Sequence, residues 1–389
     1  MRRGASFLRG DSCGKLRDNS LLREATPGCV KMSAKQLYDR ADKEAGESEE
    51  ASVTVRRGRG LNMPLDQYRR EIDYLRISLT DQCNLRCVYC MPVSGLHFFP
   101  HEDLLTPEEI AAVARVAVSV GFRKFRLTGG EPTVRRELVE IIRRLSAIEG
   151  VGDLAMTTNG MLLPEMAKPL AQAGLRRVNI HLDTLNPSHL SRIMRWATRE
   201  KIWRGIEAAE EAGLRPIKLN AVVARGYNDA DVVELAALTR ERDWHCRFIE
   251  MMPFANGECA AVAQGQFISN NEIRSRIEQE LGPLTPLPSD PSGEAENFCL
   301  PDARGVVGFI SPVSAPYCGS CNRMRLTADG KFHLCLLNDD EVDVKKQLRE
   351  NGPEAVRDLL LKAVRLKPVG HHLQEGRFTQ ERRMFQIGG

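Results

Sequence analysis

Short apolar runs alternate with amphipathic stretches from residue 74 to residue 250, and this repetition leaves few folds open to the chain. Each run has the length of a strand, and the stretches between the runs carry helix-start and helix-stop signals. Thr106-Pro107-Glu108-Glu109, for example, combines a capping threonine, a proline at the first helical position and a glutamate at the third. The predicted strands span 74–79, 124–128, 153–158, 177–182, 217–223 and 246–250. Six such units predict an α/β fold with a parallel sheet wrapped by helices, either doubly wound or a barrel.

Polar and glycine-rich segments directly follow several of these strands. They are the cysteine-rich loop 83–90, Gly129-Gly130-Glu131-Pro132, Asn159-Gly160 and Asp183. The carboxyl ends of parallel strands meet at one edge of a sheet, where such folds carry their chemistry. We therefore expect these segments to lie close together.

After residue 250 the alternation ends, which predicts a second structural region. A proline-rich connector at 283–292 precedes short predicted strands near 305–310 and 324–336, and two short helices are predicted near 344–349 and 354–364. Residues 1–60 are polar and lack apolar periodicity. We expect a disordered extension at 1–65, the α/β region at 66–260 and a C-terminal region at 261–389.

Composition narrows the classes of partner and the compartment. The 389-residue chain is 42% hydrophobic and 28% charged, and its net charge of +3 is too small to indicate nucleic acid or a membrane surface. N-terminal arginines would suit a mitochondrial transit peptide, but Asp11, Asp18 and Glu24 dilute the acid-poor character of such peptides. We expect a cytoplasmic protein, with the mitochondrial matrix as the alternative if the extension is a transit peptide.

Cys83, Cys87 and Cys90 form the pattern C-x₃-C-x₂-C directly after the first strand. Thiols bunched this closely do not pair into relaxed disulfides. Structural zinc usually has four ligands and a [4Fe–4S] cluster is usually held by four cysteines, so three thiolates leave one position open for chemistry. Six of the eleven cysteines fall into two tight groups, which favours metal binding in a reducing compartment over a disulfide framework.

The second group is Cys318, Cys321 and Cys335, in the pattern C-x₂-C-x₁₃-C. A zinc ribbon with His333 as its fourth ligand is the alternative to a cluster here. Arg323 and Arg325 follow at alternate positions, so in a strand both guanidiniums would face one side. Arginine forks suit phosphate groups, although a solvated surface pair is the alternative.

The first cysteine pattern, with Tyr89 before its last cysteine, resembles the cluster motif of radical S-adenosylmethionine (SAM) enzymes. Further segments match, in order, one family of that superfamily. They are 126–132 (RLTGGEP), 157–160 (TTNG), 182–185 (LDTL), 228–229 (ND), 247–250 (RFIE), 318–325 (CGSCNRMR) and 387–389 (IGG). Together, residues 70–389 resemble the GTP 3′,8-cyclase family of molybdenum cofactor biosynthesis.

This resemblance implies an incomplete (β/α)₆ TIM-like barrel closed by a C-terminal region, with two [4Fe–4S] clusters. The two triads would hold them, Cys83, Cys87 and Cys90 the first and Cys318, Cys321 and Cys335 the second. SAM would contact Tyr89, Gly130, His181 and Met252. GTP would contact Arg76, Arg126, Thr157, Lys218, Arg323 and Arg325. His181 departs from the family, which usually has serine there.

The implied reaction begins with reductive cleavage of SAM to a 5′-deoxyadenosyl radical, which abstracts the C3′ hydrogen of GTP. The C3′ radical cyclises onto guanine C8 and gives (8S)-3′,8-cyclo-7,8-dihydroguanosine 5′-triphosphate, while the second cluster binds the guanine edge. Catalytic roles would fall on Cys83, Cys87, Cys90, Arg323, Arg325 and on the tail Gly388-Gly389, which in the family reaches the active site. Implied partners are a flavodoxin- or ferredoxin-type electron donor and the downstream cyclic pyranopterin monophosphate synthase. A homodimer is left open.

Two other functions remain open at this point. A peptide-modifying radical SAM enzyme with an auxiliary cluster also has extra C-terminal cysteines, but a peptide needs no triphosphate-binding Arg323-x-Arg325. A zinc-stabilised binding module without catalysis fits poorly, because a six-unit α/β core needs no zinc. A ubiquitin-like diglycine tail would need a small β-grasp domain, which the pattern does not predict.

Overall fold

The computed structural model describes residues 63–388, so most of the predicted extension at 1–65 and the terminal Gly389 lie outside the described residues. One mixed sheet forms the centre of the described part. Its first six strands are β1 (Tyr74–Ser78), β2 (Lys124–Thr128), β3 (Asp153–Thr158), β4 (Arg177–His181), β5 (Lys218–Val223) and β6 (His245–Glu250). They lie side by side in sequence order and all neighbours are parallel. Each lies within two residues of its predicted bounds, and the predicted α/β class is confirmed.

Helices follow these strands and cover the outer face of the sheet. They are α1 (Pro107–Ser119), α2 (Leu138–Ser146), α3 (Leu163–Gln172), α4 (Pro187–Ile193), α5 (Arg199–Glu211) and α6 (Val232–Glu241). The predicted start of α1 is confirmed: Thr106 accepts from the Glu109 amide at 3.2 Å, and the Glu109 carboxylate accepts from the Thr106 amide at 2.9 Å. Pairs of this kind satisfy amide groups that the first helical turn leaves without partners.

The C-terminal region extends the same sheet at both of its edges. It contains β7 (Thr285–Pro286), β8 (Glu296–Cys299), β9 (Val306–Ile310), β10 (Arg323–Leu326), β11 (Lys331–His333) and β12 (Glu341–Asp343). Strand β9 pairs in parallel with β6, and β10 pairs in parallel with β1. The two outermost strands of the order are β12 and β7, which do not pair with each other. The described sheet is therefore an incomplete barrel, as predicted.

The remaining helices are α7 (Glu258–Gly265), α8 (Asn270–Leu281), α9 (Val344–Leu366) and α10 (Met384–Ile387). The two short helices predicted near 344–349 and 354–364 are the halves of α9, which is kinked at Gly352 where φ is +76°. Within residues 63–388, no helix has the length and apolarity needed to span a bilayer.

Side chains alternate between the two faces of the sheet, and the faces differ in chemistry. Apolar side chains such as Leu75, Phe125 and Val178 are fully buried against the helices. The positions between them, on the inner face, are polar: Arg76, Arg126, Asn179, Lys218 and Arg247. Because the outer layer forms the hydrophobic core, the inner face is available for a site.

Candidate active site

The inner face carries a cluster of buried or half-buried cations, contributed by five interior strands of the sheet, β1, β2, β5, β6 and β10. Strand register brings Arg76 on β1 opposite Arg126 on β2 on one side and Arg325 on β10 on the other. Arg323 lies two residues before Arg325 on the same strand, as its alternate spacing predicts. From the other half of the sheet, Lys218 on β5 and Arg247 on β6 join them. We call these six residues the cation cluster.

Burial and the other cations lower the pKa values of four of the six members, Arg126, Lys218, Arg247 and Arg325. Burial lowers the pKa of Lys218 well below its usual value, and the nearby Arg247 and Arg126 lower it further. Burial likewise lowers the pKa of Arg247 to about 10 and that of Arg325 to about 9, where Arg76 adds to the effect. Charges from β1, β2, β5 and β6 therefore act on each other across a curved inner face. Such a site favours a ligand of high negative charge.

Several buried polar atoms on this face have no hydrogen-bond partner in residues 63–388. They are Nε of Arg76 and of Arg247, Oδ1 of Asn179 and of Asn220, and Nδ1 of His245. Buried polar groups are normally paired, so a group of unpaired atoms on one inner face requires an explanation. A polar ligand that enters the barrel provides one.

Tyr74 and Thr157 bridge the cluster to its neighbours. The Arg126 guanidinium donates to the Tyr74 hydroxyl and also to Thr157 Oγ1, at 3.4 Å. Burial raises the pKa of Tyr74, but Arg126 and Arg76 outweigh it and the net shift is downwards. These contacts fix the orientation of Arg126 from two strands.

One carboxylate faces the cluster. Glu294, in the loop between β7 and β8, forms ion pairs with Arg76 and, at 3.2 Å, with Arg323. Burial raises the pKa of Glu294, but Arg76 and Arg323 outweigh it and hold the pKa well below its usual range. Glu294 is therefore ionised and partly neutralises one side of the cluster.

The first cysteine loop lies at the carboxyl end of β1. Asn159 Nδ2 approaches Cys83 Sγ at 3.9 Å, and the Cys87 thiol lies 3.8 Å from the Met194 carbonyl oxygen. Burial raises the pKa of Cys83 to about 11 and that of Cys87 well above its usual value, and neighbouring thiols contribute to the shift at Cys87. The three thiols thus border a common, water-poor space.

Gly129 and Gly130 allow the loop after β2 to lie against this cysteine loop. Gly129 has φ of +151°, and a Cβ there would lie 2.6 Å from the Thr80 carbonyl oxygen. A Cβ on Gly130 would collide with the Gln82 carbonyl oxygen. The Gly130 amide donates to Thr80 O at 2.6 Å, so backbone packs directly on backbone at this point. The predicted cofactor residue Gly130 therefore also has a structural role.

Tyr89, His181 and Asp183 form a buried network beside the first cysteine loop. The Tyr89 hydroxyl lies 2.5 Å from His181 Nε2 and donates to Asp183 Oδ2 at 2.8 Å. His181 Nε2 lies 3.0 Å from the same carboxylate oxygen, and Asp183 Oδ1 accepts from the Val222 amide at 2.7 Å. Burial lowers the pKa of His181, but Asp183 outweighs it and the net shift is upwards. Two predicted SAM residues are thus joined, and Asp183 orients both.

The second cysteine group lies at the opposite end of the barrel. Cys318 and Cys321 precede β10, which runs parallel to β1, so they are at the amino end of the sheet. Strand β11 runs antiparallel to β10, which brings Cys335 back to that same end. Arg70 holds this region, because its guanidinium donates to the carbonyl oxygen of Cys318 at 2.7 Å. The cation cluster therefore lies between the two cysteine groups.

The second group has a more cationic environment than the first. Burial raises the pKa of Cys321, but Lys367 and Arg323 outweigh it and the pKa is lowered to about 6. The His333 considered as a fourth zinc ligand is fully buried, and its Nδ1 lies 3.1 Å from Glu341 Oε1. Its nearest partner is thus a carboxylate of β12.

Each cysteine group fits an iron–sulfur cluster by its donor set. In each group the three thiols lie close enough to affect one another's pKa values. A [4Fe–4S] cluster takes one thiolate per iron, so three thiolates hold it and leave one iron for a further ligand.

The C-terminal tail enters the carboxyl end of the barrel. The Gly388 carbonyl accepts a hydrogen bond from Arg325, and a Cβ on Gly388 would lie 2.7 Å from Thr128 Cγ2. Ile387 is fully buried and packs with Phe254, beside the predicted SAM residue Met252. Gly389, predicted to share the role of Gly388, lies outside the described residues.

Sequence reasoning missed three residues of this site and one contact between residues that it did name. Arg247 had a signal, because one cation between apolar neighbours in a buried strand points to the opposite face. Tyr74 had a similar signal, because it lies two residues before Arg76 in the same strand and therefore on the same face. Glu294 had none, since it lies in an irregular loop, and the link between Asp183 and Tyr89 needed three-dimensional proximity.

Comparisons with known proteins agree with this arrangement. A model of the Radical SAM superfamily matches residues 77–239, and a model of Molybdenum Cofactor Synthesis C matches residues 244–373. A GTP 3′,8-cyclase of Pelotomaculum thermopropionicum is 48% identical over 326 residues, which are 83% of this chain and 99% of the relative. One of Moorella thermoacetica is 47% identical over 326 residues, with the same shares covered.

Among solved structures, Streptococcus suis SuiB has a similar fold. Its crystal structure superposes with a TM-score of 0.53 at 14% sequence identity, over 74% of this chain and 66% of SuiB. This chain therefore spans just under two thirds of the length of SuiB. At that identity the similarity concerns the fold alone.

Proposed function

The chain belongs to the GTP 3′,8-cyclase family of radical SAM enzymes, and from this premise we propose how its own residues perform that family's reaction. It is an enzyme of molybdenum cofactor biosynthesis that converts GTP into (8S)-3′,8-cyclo-7,8-dihydroguanosine 5′-triphosphate. One observation carries the proposal for the site: a cluster of six cations occupies the space between two cysteine groups. That space has the charge for a triphosphate and a cysteine triad at each end.

The cation cluster binds the triphosphate of GTP in this proposal. Arg76, Arg126, Lys218, Arg323 and Arg325 were predicted for this role, and Arg247 joins them because its Nε has no protein partner. A triphosphate carries about four negative charges at neutral pH, and arginine forks bind phosphate oxygens with paired hydrogen bonds. Thr157, which accepts from Arg126, keeps that guanidinium directed at the ligand.

The two triads would each hold a [4Fe–4S] cluster, Cys83, Cys87 and Cys90 at one end and Cys318, Cys321 and Cys335 at the other. A reduced cluster at the first triad would supply the electron that cleaves SAM into methionine and a 5′-deoxyadenosyl radical, and this radical would take the C3′ hydrogen of GTP. The C3′ carbon of GTP then bonds to guanine C8, and one further electron and one proton complete the product.

Around the first triad the chain positions SAM and excludes water. Tyr89, Gly130, His181 and Met252 are proposed to contact SAM, and Asp183 fixes the orientation of Tyr89 and His181. Where the family usually has serine, His181 fills more space and accepts or donates at Nε2 beside the Tyr89 hydroxyl. Arg325 holds Gly388 at the barrel mouth, and we assign Gly388 a catalytic role together with Gly389.

Three further proposals concern organisation and partners. We place a domain boundary near residue 260, between the α/β part at 66–260 and the C-terminal region at 261–389. A flavodoxin- or ferredoxin-type protein supplies electrons in a cytoplasmic setting, and cyclic pyranopterin monophosphate synthase consumes the product. A peptide substrate is disfavoured by the cation cluster, because a peptide backbone offers no comparable negative charge.

An isotope experiment tests the reaction. The protein is purified and reconstituted without oxygen, supplied with SAM, a chemical reductant and GTP deuterated at C3′, and its products are analysed by mass spectrometry. We expect deuterium in 5′-deoxyadenosine and about eight irons per chain for two clusters. Undeuterated 5′-deoxyadenosine together with unchanged GTP would refute the proposal.

Cysteine variants provide matched controls for the same experiment. Cys321→Ser should remove about four irons per chain, while Cys246→Ser, at a buried thiol outside both triads, should remove none. Equal iron content in the two variants would contradict the assignment of the second triad.

A further inference from the structure

The Glu294 carboxylate occupies a position among the residues proposed to bind the triphosphate. It is paired with Arg76 through Oε1 and with Arg323 through Oε2, so both of its oxygens face guanidiniums. Arg126 and Arg247 also lie near enough to lower its pKa. No other Asp or Glu in residues 63–388 forms an ion pair with Arg76 or Arg323.

The two arginines hold the carboxylate with the geometry that phosphate groups use. Arg76 on β1 and Arg323 on β10 come from neighbouring strands and direct guanidinium nitrogens to one small anion. Carboxylate and phosphate oxygens compete for such a fork, because both accept charge-assisted hydrogen bonds. Glu294 and a phosphoryl group cannot therefore both occupy these two nitrogens.

Glu294 lies in the tip of the hairpin formed by β7 and β8. Strands β7 and β8 pair antiparallel, and the Leu287 amide donates to Asn297 O at 2.8 Å at the base of the tip. Within the tip, the Gly293 amide donates to Asp290 O at 2.8 Å, and Asp290 lies 3.8 Å from Lys124 Nζ. Pro288, Ser289, Asp290 and Pro291 are exposed. Ion pairs of Asp290 with Lys124 and of Glu294 with Arg76 and Arg323 thus join the exposed tip to the sheet.

We propose that Glu294 is an intramolecular competitor for the substrate triphosphate: it holds Arg76 and Arg323 until phosphate oxygens replace it. This inference rests on the proposed function, since it assumes that the cation cluster is the triphosphate site. Glu294 lowers the repulsion between buried guanidiniums before substrate binds. Because an anion that enters must displace this carboxylate, Glu294 also weakens the apparent affinity of the site for anions. A ligand with several phosphoryl groups can replace the carboxylate and still engage Lys218 and Arg247, whereas a single phosphate satisfies fewer of the cations.

Binding measurements on the reconstituted full chain test this inference. Inorganic tripolyphosphate and GTP serve as separate probes, and their affinities are measured by calorimetry without oxygen for the wild type and for Glu294→Gln. We expect Glu294→Gln to bind both probes about tenfold more tightly, which corresponds to ~1.4 kcal/mol. Glu296→Gln, an exposed glutamate two residues away with no ion pair among the described residues, should bind as the wild type does.

A second variant and a second measurement separate competition from a structural role. Glu294→Asp keeps the charge but shortens the side chain, so it should tighten binding less than Glu294→Gln does. If Glu294→Gln folds poorly, Glu294→Asp still tests the inference. Without ligand, Glu294→Gln should melt at a lower temperature, and tripolyphosphate should raise its melting temperature more than that of the wild type.

Three results would overturn the inference. Unchanged affinity in Glu294→Gln would show that no exchange occurs, and weaker binding would show that Glu294 positions the arginines for the ligand; in both, the proposed function stands. Failure of the wild type to bind either probe would instead overturn the triphosphate site itself, together with this inference.

Discussion

Gly388→Ala is the substitution whose consequence the structure determines most directly. Gly388 has φ of +85°, a conformation in which an L side chain is strained by about 1–2 kcal/mol. The added Cβ would also lie 2.7 Å from Thr128 Cγ2 and 3.2 Å from Ser78 Cβ. Overpacking in such a position adds roughly 1–3 kcal/mol. The sum, about 2–5 kcal/mol, is localised on the last residues of the chain.

This strain can be relieved without unfolding the barrel. The tail is held by the hydrogen bond from Arg325, by the burial of Phe385 and Ile387 and by the edge contact of Phe385 with Phe98. Because α10 has only four residues, its release should be easier than unfolding of the barrel. We therefore expect Gly388→Ala to leave the melting temperature almost unchanged. The amides of residues 384–388 should exchange with solvent at least tenfold faster, and cyclised GTP should fall by a similar factor.

Hydrogen exchange by mass spectrometry measures tail release, and two variants isolate its cause. Gly376→Ala introduces a positive-φ alanine, at φ of +72°, where no atom lies within 4 Å of the new Cβ, so the tail should stay protected. Thr128→Ser removes Cγ2 and should restore part of the protection to Gly388→Ala. Equal tail exchange in Gly388→Ala and Gly376→Ala, or no rescue by Thr128→Ser, would refute the reasoning.

Three further substitutions test other parts of the structure. Lys218→Met should weaken GTP binding about tenfold or more in calorimetry, because it removes a poorly solvated charge from the cluster; unchanged affinity would exclude Lys218 from the site. Arg70→Met should lower iron content at the second triad, measured per chain, because three carbonyl oxygens including that of Cys318 lose their donor; full iron content would contradict this. Burial raises the pKa of Glu341, but hydrogen bonds with His333 and Arg382 outweigh it and lower the pKa to about 2. Ionised Glu341 therefore contributes stability at pH values above its unfolded pKa, and this stability is lost as pH falls towards 2. Glu341→Gln should therefore melt below the wild type at pH 7, and the difference should disappear in acid; a constant difference would rule out the ion pair as its cause.

The sequence predicted the fold well where the chain repeats a local pattern. Strands β1 to β6 were found within two residues, because period-two burial and helix caps are local signals. The attachment of β10 to β1 could not be found in this way. This pairing joins segments almost 250 residues apart, and no local sequence pattern in either strand identifies the other as its partner.

The same limit applies to the site. The cysteine groups and Arg323-x-Arg325 were found from spacing, and Arg126 and Lys218 were assigned through the family resemblance. Glu294 was not found, because its role depends on where a hairpin tip meets the barrel and not on the residues around it. Charge pairing across the inner face is a property of the fold, so only the structure could connect Glu294 with Arg76.

The distribution of charge explains how one sheet serves both stability and binding. Burial of like charges on the inner face opposes folding. The pKa of Lys218 is lowered for the same reason, because burial and the neighbouring Arg247 disfavour its charged form. The outer face compensates, because residues such as Leu75, Phe125 and Phe248 form one continuous core with the helices. The inner face is then free to keep unpaired cations, whose repulsion an anionic ligand relieves. Binding of the triphosphate should therefore stabilise the fold, with Glu294 providing part of the same effect before the ligand arrives.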